Sequence, residues 1–164
     1  MLFRSAVADW SALLLTEHAG ATPAIGAAGY AAFSIAMAGC RFAGDSLIGA
    51  FGPRRLMVMG GISIAVGLAA AAAFSVPLPA AAGFALVGIG AANVVPVIFA
   101  AAARIPGLPP GAGIAAVATV AYTGFLLGPP VIGWIASVIG LPAAHGVLAL
   151  TGLLIAAFAR AVDR

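Results

Sequence analysis

Three polar side chains in an otherwise apolar sequence have the types that could handle a solute or an ion. Asp9 is a carboxylate that could hold a proton or a cation in a desolvated site, although beside Trp10 it could instead be solvated and inert at an interface. Asn93 and Tyr122 could donate and accept hydrogen bonds along a solute path. Asn93 could instead bond to a neighbouring helix, which is a common use of a buried amide.

The sequence contains no constellation typical of an enzyme or a metal site. Cys40 is the only cysteine, and His18 and His145 are far apart with no cysteine or carboxylate at metal-ligand spacing. We therefore expect both histidines to be interfacial. No serine nucleophile elbow, phosphate-binding glycine-rich loop or paired-carboxylate pattern is present. The predictions are accordingly no enzymatic activity, no cofactor and no bound metal.

Composition indicates that these side chains are held by helices in lipid. The chain has 164 residues with seven basic and four acidic side chains, and charged residues make up 7% of it, against about 25% in soluble domains. Hydrophobic types make up 64%, and the mean hydropathy is +1.22. The basic residues are spread thinly between apolar stretches, which argues against a nucleic-acid partner. The fold class predicted is all-α, a polytopic integral membrane helical bundle in the lipid bilayer.

Five full spans follow from the positions of proline, glycine and arginine. No charged residue lies between Arg55 and Arg104, and as one helix this run would reach roughly 72 Å, over twice the hydrocarbon thickness. The sequence Pro77-Leu78-Pro79 divides it, and Gly140-Leu141-Pro142 divides the next uncharged run. Thr22 is predicted to cap a helix with Pro23 in its first turn. The predicted spans are residues 22–40, 56–76, 80–103, 111–139 and 143–159, preceded by a short, truncated N-terminal helix.

The arginines predict how the chain is oriented. If the five spans alternate, six of the seven arginines fall on one face and none on the other. Basic loops tend to stay cytoplasmic, so this face and the C-terminus are predicted to be cytoplasmic. The six residues are Arg41, Arg54, Arg55, Arg104, Arg160 and Arg164.

Residues 39–55, GCRFAGDSLIGAFGPRR, form the first of two recognisable motifs. They resemble the cytoplasmic signature loop of the major facilitator superfamily, in which a glycine turn and charged residues join two helices. Arg41 and Asp45 are four residues apart, a spacing that can pair them on a helix. Gly49 and Ala50 stand where the family has an acidic and a basic residue, so the charge latch is expected either to be weakened or to be carried by Asp45. The alternative is an ordinary basic loop. Gly52, Arg54 and Arg55 match the family pattern, with Gly44 and Asp45 just upstream, and Arg41 is the remaining candidate residue of this loop.

The second motif is Gly124, Gly128, Pro129 and Gly133 within residues 122–136, YTGFLLGPPVIGWIA. Small residues four apart allow close helix packing in lipid, and proline removes a backbone donor and bends a helix. The stretch resembles a glycine-proline motif of the fifth helix and its counterpart, the eleventh, in the same superfamily. A glycine-rich packing seam without a gating role is the alternative.

The order of the motifs resembles the C-terminal half of a superfamily transporter, from part of the seventh helix to the twelfth. The resemblance covers nearly the whole chain and implies transport of a small solute by alternating access, with a coupled proton or cation as one possibility. It also implies a missing N-terminal half or a partner half, and a bacterial inner-membrane location. A non-transporting membrane assembly module and an inactive degenerate product remain alternatives.

Overall fold

The computed structural model describes Val7, residues 10–18 and residues 20–163, and these residues form helices joined by short connections. A π-helical turn at Leu14–His18 precedes six α-helices, and a 3-10 helix at Phe158–Asp163 follows them. The α-helices are α1 (Pro23–Phe42), α2 (Gly44–Ala73), α3 (Pro77–Ala91), α4 (Val94–Ala102), α5 (Pro110–Ile139) and α6 (Leu141–Ala157).

Five segments in the described part of the chain are long and apolar enough to cross a bilayer, which confirms the predicted fold class and number of spans. They are Pro23–Phe42, Gly44–Ala73, Pro77–Ala102, Gly111–Ile139 and Leu141–Val162. The third segment contains both α3 and α4.

The predicted helix boundaries have the expected local causes. The Thr22 hydroxyl accepts a hydrogen bond from the Ile25 backbone N–H at 3.5 Å, with Pro23 in the first turn. Helix α3 begins at Pro77, and the single residue Gly140 separates α5 from α6. Gly140 has φ 85° and ψ 156°, a conformation essentially restricted to glycine.

Helix α2 lies at the centre of the bundle because glycines let α3 and α6 approach its backbone. A Cβ atom built on Gly67 would lie 2.5 Å from the Gly83 carbonyl oxygen of α3, and one on Gly83 would lie 2.6 Å from the Gly67 oxygen. Likewise, a Cβ atom built on Gly61 of α2 would lie 2.5 Å from the Gly152 carbonyl oxygen of α6, and one on Gly152 would lie 2.6 Å from the Gly61 oxygen. Such close backbone approach is the usual basis of helix association in lipid, because the hydrophobic effect contributes little to association there.

Helix α5 is the exception to this close packing. The most apolar stretch of each span can be compared by the share of it that is buried inside the bundle. This share is 50% for Pro77–Ala102 but only 11% for Gly111–Ile139. Most of the surface of α5 is therefore available to lipid or to another helical bundle.

His145 differs from its predicted interfacial position. Its side chain is fully buried on α6, its Nδ1 lies 2.9 Å from the Leu141 carbonyl oxygen, and its ring meets that of Phe84 edge-on at 6.2 Å. The prediction was wrong because His145 lies in the first turns of α6, whose inner face packs into the bundle. His18 has no described side chain.

Candidate functional site

The span 77–102 is interrupted at Asn93, and this break lies against the C-terminal end of α1. In a continuous helix the Ala92 carbonyl would accept the N–H of residue 96, but residue 96 is proline and has no N–H. The Arg41 Nε donates to this carbonyl at 3.1 Å instead. Arg41 therefore satisfies the acceptor that Pro96 leaves open.

Asn93 adds a second contact between the C-terminal end of α1 and the break in the third span, and we call this contact region the junction. Its side chain is buried, and its Nδ2 donates to the Cys40 carbonyl at 3.4 Å and lies 3.7 Å from the Cys40 Sγ. Gly44, the first residue of α2, leaves the space for this amide, because a Cβ there would lie 2.6 Å from the Asn93 Oδ1. The buried amide therefore bonds to a neighbouring helix, α1. That Asn93 lines a solute path stays a prediction.

A cavity of about 520 Å³ opens beside this junction. It is lined by one cation, one carboxylate and one amide, together with apolar side chains. Such a set can hold a small polar group or water by hydrogen bonds and opposite charges. The lining residues are Arg41, Gly44, Asp45, Ile48, Asn93, Val95, Pro96 and Phe99.

The predicted pairing of Arg41 with Asp45 is absent from the described residues. The i,i+4 argument requires one continuous helix, but α1 ends at Phe42 and Ala43, with φ −85° and ψ 1°, separates the two residues. Both side chains line the same cavity without forming a salt bridge.

The segment predicted as a loop is mostly helical. Residues 44–51 form the first part of α2, and the direction changes at Gly52, which has φ 75° and ψ 158°. This conformation is close to exclusive to glycine, and Pro53 then starts the long part of the helix. Arg54 and Arg55 follow at once and line a second cavity of about 680 Å³ with Gly52. Gly52 therefore forms a corner in the backbone of α2.

The glycine-proline motif of α5 lies apart from this junction. Helix α5 runs through Pro129 without an interruption of its helical backbone. Gly133 lies under the Trp10 indole, with ring carbons 3.2 and 3.3 Å from a hypothetical Cβ. Gly124 lines an apolar cavity between α4, α5 and α6, and Gly128 is buried. The motif thus combines helix packing with the wall of a cavity.

Tyr122 lies on the exposed side of α5. Its side chain is 70% exposed, about 18 Å along the helix from Pro110 and thus near mid-membrane depth. Thr119 and Thr123 lie on the same side, and each hydroxyl donates to the carbonyl four residues earlier at 2.9 Å. The Tyr122 hydroxyl has no partner within the described part of the chain. Asp9, the other predicted pathway residue, lies outside the described residues.

The junction of Arg41 with Ala92 is the feature that sequence reasoning missed. Half of this contact could have been predicted from the sequence. Pro96 lies four residues after Ala92 and has no N–H, so in a helix the Ala92 carbonyl must lack its usual donor. Pairing that carbonyl with Arg41 required the packing of α1 against the third span. Among the described residues, no group of three or more histidine, cysteine or acidic side chains could hold a metal ion.

The family model and the relatives that match this chain point to the same family. The family model described as Major Facilitator Superfamily matches residues 2–164. An MFS-type transporter of Yersinia pestis is 39% identical over 99% of this chain and 42% of its own length. The membrane protein MosC of Rhizobium meliloti is 36% identical over 100% of the chain and 40% of its own. A transporter of Sinorhizobium fredii is 36% identical over 92% of the chain and 40% of its own.

The chain therefore spans about two fifths of the length of the curated relatives it matches, and it has no significant match among solved structures. The family match extends over nearly every residue, and the described part of the chain has five helical segments long and apolar enough to cross a membrane. The chain belongs to the major facilitator superfamily.

Proposed function

We propose that the chain forms one wall of a solute pathway and works against a second helical bundle by alternating access. Two of the three relatives carry transporter names, and each of the three is more than twice as long as the matched segment. Alternating access requires two bundles that rock against each other around a site between them. The chain would supply one of these bundles.

The observation that carries the proposal is the exposed polar stripe of α5. Thr119, Tyr122 and Thr123 share one side of a helix that is otherwise strongly apolar, and α5 is the least buried span. A phenol hydroxyl facing hydrocarbon without a partner costs free energy. A water-filled pathway or a second bundle on this side would supply that partner.

The cavity at Arg41, Asp45 and Asn93 would act in this scheme at the cytoplasmic end of the pathway. A coupled proton or cation would find carboxylate chemistry at Asp45 or at Asp9. The six arginines on one predicted face support a cytoplasmic C-terminus. The bacterial sources of the relatives support an inner-membrane location. The charges around Gly52 would then hold or release contacts between the two bundles.

Solute currents test the proposal. The chain is co-reconstituted in proteoliposomes with the part of the Yersinia pestis relative that it does not match, and solid-supported-membrane currents are recorded for sugars, amino acids, organic anions and organic cations. We expect currents from the pair and none from either part alone. An assembled pair, verified by co-purification, that gives no current with any class would contradict transport. Equal currents from the chain alone would contradict the need for a second bundle.

A further inference from the structure

A long apolar crevice separates α5 from α4 and α6. Two adjoining cavities, of about 600 and 750 Å³, form it and share Ile98, Val117, Leu154 and Ile155 as walls. Thr151 is the hydroxyl-bearing side chain of the first cavity wall, and its Oγ already donates to the Leu148 carbonyl at 2.6 Å. The crevice therefore suits an occupant that needs no hydrogen bonds.

The length of the crevice matches one leaflet of a bilayer. Along α6 and the following 3-10 helix its walls run from Thr151 to Val162, which is roughly 18 Å. The hydrocarbon of one leaflet is roughly 15 Å thick. A hydrocarbon chain lying along the helices would fill the crevice from end to end.

One end of the crevice carries positive charge. Arg104 immediately precedes the wall residue Ile105, and Arg160 lies between the wall residues Phe158 and Ala161. Both arginines are exposed, and the Arg104 Nε donates to the Ala100 carbonyl at 3.0 Å. Asp163, whose side chain is not described, is the nearest acidic residue in sequence. Basic groups between helices on the cytoplasmic side are typical of sites for anionic lipid headgroups.

We propose that this crevice binds an anionic phospholipid of the surrounding bilayer. One acyl chain lies between α4, α5 and α6, and the phosphate is held by Arg104 and Arg160. The crevice is on the side of α5 opposite Tyr122, because Val117, Val120 and Gly124 line it and lie about 140–160° around the helix from Tyr122. The lipid site is therefore independent of the proposed solute pathway.

Competition between two lipids tests the site. The delipidated chain in detergent is offered phosphatidylglycerol and phosphatidylcholine with identical acyl chains, and bound lipid is measured by native mass spectrometry. We expect phosphatidylglycerol to be preferred by about 30-fold at low salt, because each of the two arginines near the headgroup contributes a factor of about five. The double variant R104Q/R160Q should reduce this preference to about twofold, and R104K/R160K should retain most of it.

A second pair of variants tests the acyl-chain part of the site. Ala121→Phe fills the crevice and should lower binding of both lipids at least tenfold. Ala115→Phe, on the exposed side of the same helix, should leave binding unchanged. Soluble glycerol 3-phosphate should not compete. Equal binding of the two lipids by the unmodified chain, unchanged binding in A121F, or competition by the free headgroup would each overturn the proposal.

Discussion

Replacing Gly67 by alanine is expected to lower the free energy of unfolding by about 3 kcal/mol. The added Cβ would lie 2.5 Å from the Gly83 carbonyl oxygen and 2.9 Å from the Val87 backbone nitrogen. Both neighbours are backbone atoms of α3, which no rotamer change can move. Helices α2 and α3 must therefore separate, and the interface loses the close backbone contact on which helix association in lipid depends. The measurement is SDS-induced unfolding of the chain in detergent.

Gly146→Ala supplies the matched control for this variant. Gly146 lies within α6, and a Cβ there meets no atom within 4 Å. Because alanine favours a helix over glycine by about 1 kcal/mol, this variant should be as stable as the parent chain or slightly more stable. If Gly67→Ala and Gly146→Ala unfolded at the same SDS fraction, the packing assigned to α2 and α3 would be refuted.

Replacing Arg41 by methionine is expected to cost about 2 kcal/mol of unfolding free energy, a typical value for a hydrogen bond from a charged donor. The loss arises because the Ala92 carbonyl keeps no donor: its helical partner would be residue 96, which is proline. The neighbouring Val97 N–H already donates to the Asn93 carbonyl at 3.1 Å. At the Ala92 carbonyl, the helical donor that is missing is the N–H of residue 96.

Pro96→Ala provides that N–H and should make Arg41 largely dispensable. We expect Arg41→Met to cost at least 1 kcal/mol less in a Pro96→Ala background than in the parent chain, measured as a double-mutant cycle of SDS-induced unfolding. Strictly additive effects of the two substitutions would show that Arg41 does not compensate for Pro96.

The agreement between sequence and structure is closest where backbone chemistry acts locally. Thr22, Pro77 and Gly140 mark helix boundaries through side-chain capping, a missing N–H and a conformation open to glycine, and each acts within a few residues. The apolar content of the spans likewise required lipid whatever their packing. These features could therefore be predicted without knowledge of tertiary contacts.

The site was harder to predict because it depends on contacts between distant segments. Arg41 and Asp45 have helical spacing, but the helix ends between them and Arg41 bonds to Ala92, far along the chain. His145 was expected at an interface from its position near a helix end, whereas the packing of α6 buries it. Neither outcome follows from spacing, since each is decided by which helices pack together.

Water accessibility on the two sides of α5 tests the central claim most directly. Spin labels are attached singly at residues 122 and 120, after Cys40→Ser, in the chain assembled with the unmatched part of the Yersinia pestis relative. The two positions lie within about 3 Å of the same depth but on opposite sides of the helix. We expect the label at 122 to collide with a water-soluble nickel reagent and the label at 120 with lipid-dissolved oxygen. Equal, oxygen-dominated collisions at both positions would contradict a solute pathway along α5.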